Sequence, residues 1–166
     1  MRQENLKNNR DILLETRNLS VEFPVKKKSF FEKQKMLSAV SDVSIQIRRG
    51  ETFGLVGESG CGKSTFANAT LGFVKPRSGE IYFNGQPLYA EKKAVQEARL
   101  HMQKIFQDPA SSLNPRFTVR EAVCEPMLIR GGFDKNGMER KAREMITAVG
   151  LTGKDLDRYT SQFSGG

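Results

Sequence analysis

The feature that most constrains the fold of this chain is a glycine-rich loop, Gly57–Thr65, with the sequence GESGCGKST. The loop matches the G-x-x-x-x-G-K-[ST] pattern, follows an apolar segment, Thr52–Val56, and precedes the helix-compatible sequence ANATLGF. Such a loop turns at the end of a buried strand through glycines, which adopt backbone angles forbidden to other residues. The N–H groups at the start of the next helix then face one concavity and attract phosphate. We therefore expect an α/β core that binds a nucleoside triphosphate, in particular ATP with Mg²⁺.

Each position of the loop has an expected role. The backbone N–H groups of residues 60–65 surround the phosphates, the amine of Lys63 reaches the β- and γ-phosphates, and the hydroxyl of Ser64 ligates Mg²⁺. Thr65 is expected to hold the α-phosphate. The expected nucleotide-binding set of the loop is Gly57, Glu58, Ser59, Gly60, Cys61, Gly62, Lys63, Ser64 and Thr65. The alternative is a tight glycine turn with no ligand.

The cysteines and the single histidine are not needed for this chemistry. Cys61 lies at a helix N-terminus, where the pKa of a thiol is often lowered, but we favour the alternative that it fills a variable position. His101 lies on a charged predicted helix and is interpreted as a surface residue. Cys61 and Cys124 are too few for a disulfide framework and lack metal-ligand spacing, so we expect a reduced, cytosolic protein.

The chain is strongly basic, with 27 Lys and Arg against 19 Asp and Glu and a net charge of +8. Such an excess attracts phosphates, nucleic acids or anionic lipid surfaces. The one dense run is Lys26–Lys28, within PVKKKSFFEKQK, which we interpret as a solvated loop rather than a docking patch. No apolar run approaches the length of a membrane span, and the first residues lack the apolar stretch of a secretory signal.

Hydrophobic patterning predicts strands in the first half of the chain and helices in the second. The predicted strands are 12–23, 37–47, Thr52–Val56 and 80–83, and the predicted helices of the first half are 62–73 and 91–101. From Thr118 onward only helical signals remain. One predicted helical face collects Met138, Ala142, Met145, Ile146 and Val149.

Three motifs together carry a family resemblance. The sequences GESGCGKST, FQDP and QFSGG follow one another in the order and at the spacing of the ATP-binding subunits of ABC transporters, which this chain resembles. The stretch FQDPASSLNPRFTV is similar to the oligopeptide and dipeptide importer branch of that family. The resemblance implies an α/β fold, with a P-loop NTPase core, an antiparallel β subdomain and the start of a helical subdomain.

The resemblance also implies a division of the chain. We expect a polar N-terminal tail over residues 1–11 and an ATP-binding core over 12–117, with a basic insertion at 24–36. A partial helical subdomain is expected over 118–166.

Further site residues follow from the resemblance alone. Phe23 is expected to stack on the adenine ring. Gln107 is the expected catalytic glutamine, which contacts Mg²⁺ or the attacking water. The third group, Ser164, Gly165 and Gly166, is similar to the signature motif, which contacts the γ-phosphate bound by the opposite subunit.

The implied partners are those of an importer ATPase. They are a second ATPase subunit in a head-to-tail dimer, transmembrane permease subunits and, indirectly, an extracytoplasmic solute-binding protein, with no nucleic acid. The implied location is peripheral, at the cytoplasmic face of the membrane. Two alternatives remain: a regulatory module that holds nucleotide without turnover, and a cytosolic ABC protein that acts on DNA or ribosomes. Interleaved aromatics and a clustered basic face would favour the latter, and neither is evident in the sequence.

The sequence stops within the signature motif, at Gly166. It contains no apolar run ending in Asp-Glu, which in the family supplies the Walker B aspartate and the catalytic glutamate. We therefore expect a truncated form that also lacks the switch histidine and does not hydrolyse ATP alone. In such a form the predicted strand Thr52–Val56 would have no neighbouring strands on which to pack.

Overall fold

A computed structural model of the chain describes residues 11–27, 33–106 and 112–163. The chain divides into two compact units, Met1–Gln103 and Lys104–Gly166. The first unit contains an antiparallel sheet and the glycine-rich loop, and the second is helical. No helix of the described residues is both long and apolar enough to cross a membrane.

The sheet of the first unit is built around one long hairpin. Its strands are β1 (Ile12–Pro24), β2 (Met36–Arg48), β3 (Ser78–Phe83) and β4 (Gln86–Pro87), in the order β2-β1-β3-β4. Every neighbouring pair is antiparallel. The alternating, β-branched sequences of the longer strands favour this pleated arrangement, and the strands predicted over 12–23, 37–47 and 80–83 are confirmed.

Two helices accompany the sheet in the first unit. They are α1 (Lys63–Thr70), which follows the glycine-rich loop, and α2 (Lys92–Arg99). The core joins side chains of the sheet to these helices: Leu19, Val21, Val40, Phe66, Ala69, Ile81, Phe83, Leu88 and Ala98. Arg99 holds the end of α1, because its guanidinium donates to the carbonyl of Gly72 at 2.5 Å and lies over the ring of Phe73.

The second unit consists of two α-helices and two short 3₁₀-helices. They are α3 (Val119–Arg130), α4 (Lys135–Ala148), and the 3₁₀-helices Gly153–Asp157 and Thr160–Gln162. Side chains cap both α-helices, since Thr118 accepts from the N–H of Glu121 and Asp134 accepts from the N–H of Gly137. Arg120 of α3 forms ion pairs with Glu139 of α4 and with Asp157.

The apolar face predicted over residues 138–149 is confirmed only in part. Ala142 and Ile146 are buried against Leu156, but Met145 is 48% exposed and Val149 is 74% exposed. The helical unit is small, so its core covers only the middle of that face. Met145 and Val149 follow the helical periodicity, but no helix or strand in the described part of the chain packs over them.

The strand predicted at Thr52–Val56 is wrong for this structure. Residues 51–58 form neither strand nor helix, and no strand of the described residues pairs with them. Phe53 and Leu55 are 41% and 42% exposed, and Val56 is 94% exposed. A strand forms only where a neighbour accepts its N–H groups, so the apolar sequence alone does not produce one.

Candidate nucleotide-binding site

The N-terminus of α1 is open toward the glycine-rich loop. Its N-cap residue, Gly62, provides no side-chain hydrogen bond, and the first turn contains no acidic residue. The first intrahelical bond runs from the N–H of Phe66 to the carbonyl of Gly62, so the N–H groups of residues 63–65 receive no acceptor from their own helix. The two α-helices of the second unit have side-chain caps, and α2 has none. What distinguishes the start of α1 is that it follows the glycine-rich loop beside the amine of Lys63, where it can accept an external anion.

The amine of Lys63 lies at the mouth of the loop. It donates to the carbonyl oxygens of Gly57 at 2.6 Å and Glu58 at 2.5 Å, and it lies 3.5 Å from the sulfur of Cys61. These three contacts match the three N–H donors of an ammonium group. When a phosphate binds here, the amine of Lys63 can replace its neutral carbonyl partners with charged phosphate oxygens. Charged oxygens form stronger hydrogen bonds with a cation.

Close packing fixes the conformation of the loop at two glycines. A Cβ atom on Gly57 would lie 2.7 Å from the sulfur of Cys61, so the Cys61 side chain occupies the space that the missing Cβ leaves. Gly62 has a φ of 97° and lies against the carbonyl of Ala39 in β2. Cys61 is exposed, and its sulfur lies against Gly57, so its side chain takes part in the packing of the loop, a contact that was not predicted from the sequence.

A cavity of about 390 Å³ opens beside the loop. Its walls come from β2, from the glycine-rich loop with the first turn of α1, and from the exposed apolar segment before the loop: Ser38, Ala39, Val40, Ser41, Val43, Cys61, Gly62, Lys63, Phe66, Leu55 and Val56. The contribution of β2 was not predicted from the sequence. The only signal for it is the run of small residues at 38–41, which is also common in ordinary strands.

Phe23 lies near the end of the sheet that lines this cavity. It pairs with Leu37 across the β1–β2 ladder, and the next pair along, Glu22 with Ser38, reaches the cavity wall. The ring is 39% exposed and is not itself part of that wall. An exposed aromatic ring at this position is free to contact a planar ligand.

The other expected site residues lie outside the described part of the chain. Gln107 and the signature residues Ser164, Gly165 and Gly166 are in this group, and Ser64 is the one expected Mg²⁺ ligand that is described. The Ser64 side chain is exposed in the first turn of α1. Within the described residues no cluster of three or more His, Cys, Asp or Glu side chains forms a metal site.

The segments that flank these undescribed residues are bonded to each other. Thr118 and Tyr159 form an isolated antiparallel bridge, and the N–H of Val119 donates to the carbonyl of Arg158 at 2.9 Å. The hydroxyl of Thr160 also donates to the carbonyl of Asn114 at 2.8 Å. The chain that leaves Gln107 is therefore joined to the chain that leads into Ser164.

Asp155 stabilises this junction. Its carboxylate accepts hydrogen bonds from the N–H of Thr152, from Arg158 and from the hydroxyl of Thr152, and these bonds lower the pKa of Asp155 to about 2. Arg158 in turn lies over the ring of Phe163, directly before the signature residues. The charged form of Asp155 thus holds Arg158 in place, and the carbonyl of Arg158 accepts the hydrogen bond from Val119.

Comparisons with known proteins show the family of the chain. The family model described as ABC transporter matches residues 40–166. The oligopeptide transport ATP-binding protein OppF of Haemophilus influenzae is 44% identical, and the match covers 96% of this chain and 49% of that protein. The dipeptide transport ATP-binding protein DppF of Escherichia coli is 39% identical, with 93% and 46% covered. The chain thus spans about half the length of the curated relatives it matches.

Solved structures show the same fold. A dimeric ATP-binding cassette in a post-hydrolysis state, bound to ADP and Pi, superposes with a TM-score of 0.74 at 23% identity, covering 92% of this chain and 64% of that one. The cbiO1 protein of Clostridium perfringens, part of an ABC transporter complex, gives 0.69 at 22% identity, with 93% and 57% covered. The α/β fold predicted from the sequence is therefore confirmed.

Proposed function

The chain belongs to the ABC transporter family, and on that premise we propose that it is the ATP-binding part of an importer for oligopeptides or dipeptides. The relatives described as oligopeptide and dipeptide transport ATP-binding proteins support this assignment, because their similarity extends over almost all of this chain. Binding and hydrolysis of ATP would then drive the uptake of peptide.

One observation supports the nucleotide site above all others: the uncapped start of α1 lies beside the amine of Lys63. The N–H groups of residues 63–65 and the positive end of the helix attract phosphate oxygens, and Lys63 neutralises their charge. The adjoining open cavity, with Val40 and Phe66 in its walls, gives the rest of the nucleotide a partly apolar surface. Phe23 is proposed to stack on the base.

Mg²⁺ is proposed as the partner of the bound phosphates. Hydroxyl and amide oxygens are suitable ligands for this hard cation, and Ser64 and Gln107 are the residues proposed to hold it. When bound, the cation neutralises charge on the transferred phosphoryl group. Gln107 is also proposed to orient the attacking water. Mg²⁺ usually keeps several waters and binds substrate phosphates, so phosphate and water oxygens are proposed to complete its shell.

The assembly is proposed by analogy with importers. Two ATPase subunits would associate head to tail, so that Ser164, Gly165 and Gly166 of one contact the γ-phosphate held by the other. Transmembrane permease subunits would bind at the cytoplasmic face of the membrane, and a solute-binding protein would deliver peptide from outside.

A functional boundary is proposed at 117/118, with the nucleotide contacts of residues 12–117 on one side and the helical residues 118–166 on the other. The bond between Asn114 and Thr160 would join the segment that follows the proposed catalytic residue Gln107 to the segment that precedes the signature residues.

The proposed nucleotide site is tested by following backbone amide resonances during ligand titration. ATP should shift the resonances of residues 60–65 most strongly, because their N–H groups would become phosphate donors. Adenosine, which lacks phosphates, should leave those resonances in place. Shifts confined to other parts of the chain would contradict the assignment.

The proposed transport role is tested in cells that lack the gene. Uptake of labelled di- and oligopeptides should fall, while uptake of free amino acids should stay at the parent level. Restoring the gene with Lys63→Ala should not restore peptide uptake. Unchanged peptide uptake in the deletion strain would contradict the transport role. It would not contradict the nucleotide site, which the amide titration tests separately.

A further inference from the structure

The tip of the β1–β2 hairpin is exposed, basic and partly apolar. The described residues of this hairpin tip are 25–27 and 33–36, with the sequences VKK and KQKM. All of them are exposed, and none is acidic. The hairpin tip therefore carries a local excess of positive charge within a chain whose net charge is +8.

The backbone pairing of β1 with β2 continues to the start of the lysine-rich stretch. The β1–β2 ladder ends at the pair Pro24 and Met36, and the N–H of Val25 then donates to the carbonyl of Lys35 at 2.9 Å. The side-chain amide of Gln34 donates to the carbonyl of Val25 at 2.6 Å. Lys26 directly follows this paired end on the β1 side, and Lys33 directly precedes it on the β2 side.

Three lysines of the hairpin tip, Lys26, Lys27 and Lys33, form no ion pair with any described residue. The nearest acidic residue on β1 is Glu22, which lies 3.9 Å from Arg77. Among the described residues, therefore, no carboxylate pairs with these three ammonium groups. Apolar side chains lie directly beside them, because Val25 is 44% exposed and Met36 is 45% exposed.

We propose that the hairpin tip is a docking surface for anionic phospholipid, in place of the solvated loop that the sequence alone suggested. Lysines next to exposed apolar side chains suit the headgroup region of a membrane, where the ammonium groups meet phosphates and carboxylates while the apolar groups enter the acyl boundary. A nucleic acid would offer phosphates, but it would leave Val25 and Met36 in water. The proposal stands apart from the nucleotide site, because it requires neither ATP nor the glycine-rich loop.

The experiment is vesicle flotation, which separates bound chain from aggregates because aggregates sink. The parent chain should float with vesicles containing about one third phosphatidylserine, and much less with pure phosphatidylcholine. The triple variant Lys26→Gln, Lys27→Gln and Lys33→Gln should lower the partition coefficient by about fivefold per lysine, or roughly 100-fold in all. The matched control is Lys75→Gln, Lys92→Gln and Lys135→Gln, which removes the same charge from exposed positions elsewhere and should change binding far less.

The arginine variant and three further results would support or overturn the proposal. Restoring charge with arginine at the same three positions should restore flotation. Equal losses in the two glutamine triples would show a general charge effect and would overturn the proposal. Equal flotation with both kinds of vesicle would overturn it as well. Stronger retention on duplex DNA than on vesicles at equal phosphate concentration would assign the hairpin tip to nucleic acid instead.

Discussion

Gly62 lies so close to the backbone of Ala39 that a Cβ atom on Gly62 would overlap the Ala39 carbonyl oxygen. This contact joins the start of α1 to β2 and sets the position of the glycine-rich loop beside the cavity. The φ of Gly62, 97°, is also one that residues with a side chain rarely adopt. The missing side chain is therefore a requirement of the site itself.

Gly62→Ala should weaken ATP binding strongly, with Gly60→Ala as the matched control. Both glycines have positive φ, 97° and 83°, so both variants incur a backbone strain of about 1–3 kcal/mol. A Cβ on Gly60 meets no atom within 4 Å, so only Gly62→Ala adds a clash with backbone. Calorimetric titration with ATP should therefore show the larger loss for Gly62→Ala. Equal losses would show that the Ala39 contact does not position the loop.

The exposed segment before the loop should make the isolated chain prone to aggregation. Complete burial of a large apolar side chain contributes about 1.5–3 kcal/mol, and Val56, at 94% exposed, forgoes most of it. Phe53 and Leu55 are 41% and 42% exposed and forgo a smaller share, so the total is a sizeable part of the roughly 5–15 kcal/mol of a whole domain. We expect a broad thermal transition and strong binding of a hydrophobic dye. Adding, as a separate chain, the part of a relative that lies beyond the match should lower dye binding. A sharp, cooperative transition without dye binding would contradict this expectation.

The second unit should lose stability in acid through Asp155. Its pKa is lowered from 3.8 to about 2 in the folded chain, so the stabilisation is complete above pH 3.8 and is lost as the pH falls toward about 2. Thermal unfolding, followed by helical circular dichroism between pH 5 and 2, should show this loss. The variant Asp155→Asn should have a lower stability at neutral pH and a flatter pH dependence. An identical pH dependence for parent and variant would contradict the role of this carboxylate.

The chain alone should hydrolyse ATP at the background rate. These 166 residues contain no apolar run ending in the Asp-Glu pair that in the family holds Mg²⁺ and activates the attacking water. Phosphate release should therefore match a protein-free control, while nucleotide still binds. Turnover well above that control, abolished by Lys63→Ala, would disprove this prediction.

Sequence patterns predicted the parts of the fold that depend on local signals. The alternation along β1 and β2 and the glycine spacing around Lys63 are patterns of residues that are close together in the sequence. These two strands and the start of the helix after the loop were therefore placed correctly. Thr52–Val56 failed because an apolar run indicates burial, but a strand also needs a neighbour. The periodicity at Met145 failed for a similar reason, since the core of the second unit does not reach it.

The site was less predictable than the loop that forms it. The contact of Gly62 with Ala39 is tertiary, and nothing in the sequence associates residue 39 with residue 62. The walls formed by β2 around Ser38 therefore appeared only in the structure. The roles of Phe23 and Gln107 depend on resemblance and stay predictions.

The central claim is that Lys63 and the start of α1 bind the phosphates of ATP, and a fluorescent-ATP titration tests it most directly. Lys63→Ala removes the one cationic side chain of the loop and should weaken binding by about 1.5–3 kcal/mol, or roughly 10- to 150-fold. Lys75→Ala, at an exposed lysine just beyond α1, is the control and should bind as the parent does. A titration curve of Lys63→Ala that coincides with that of the parent would contradict the account.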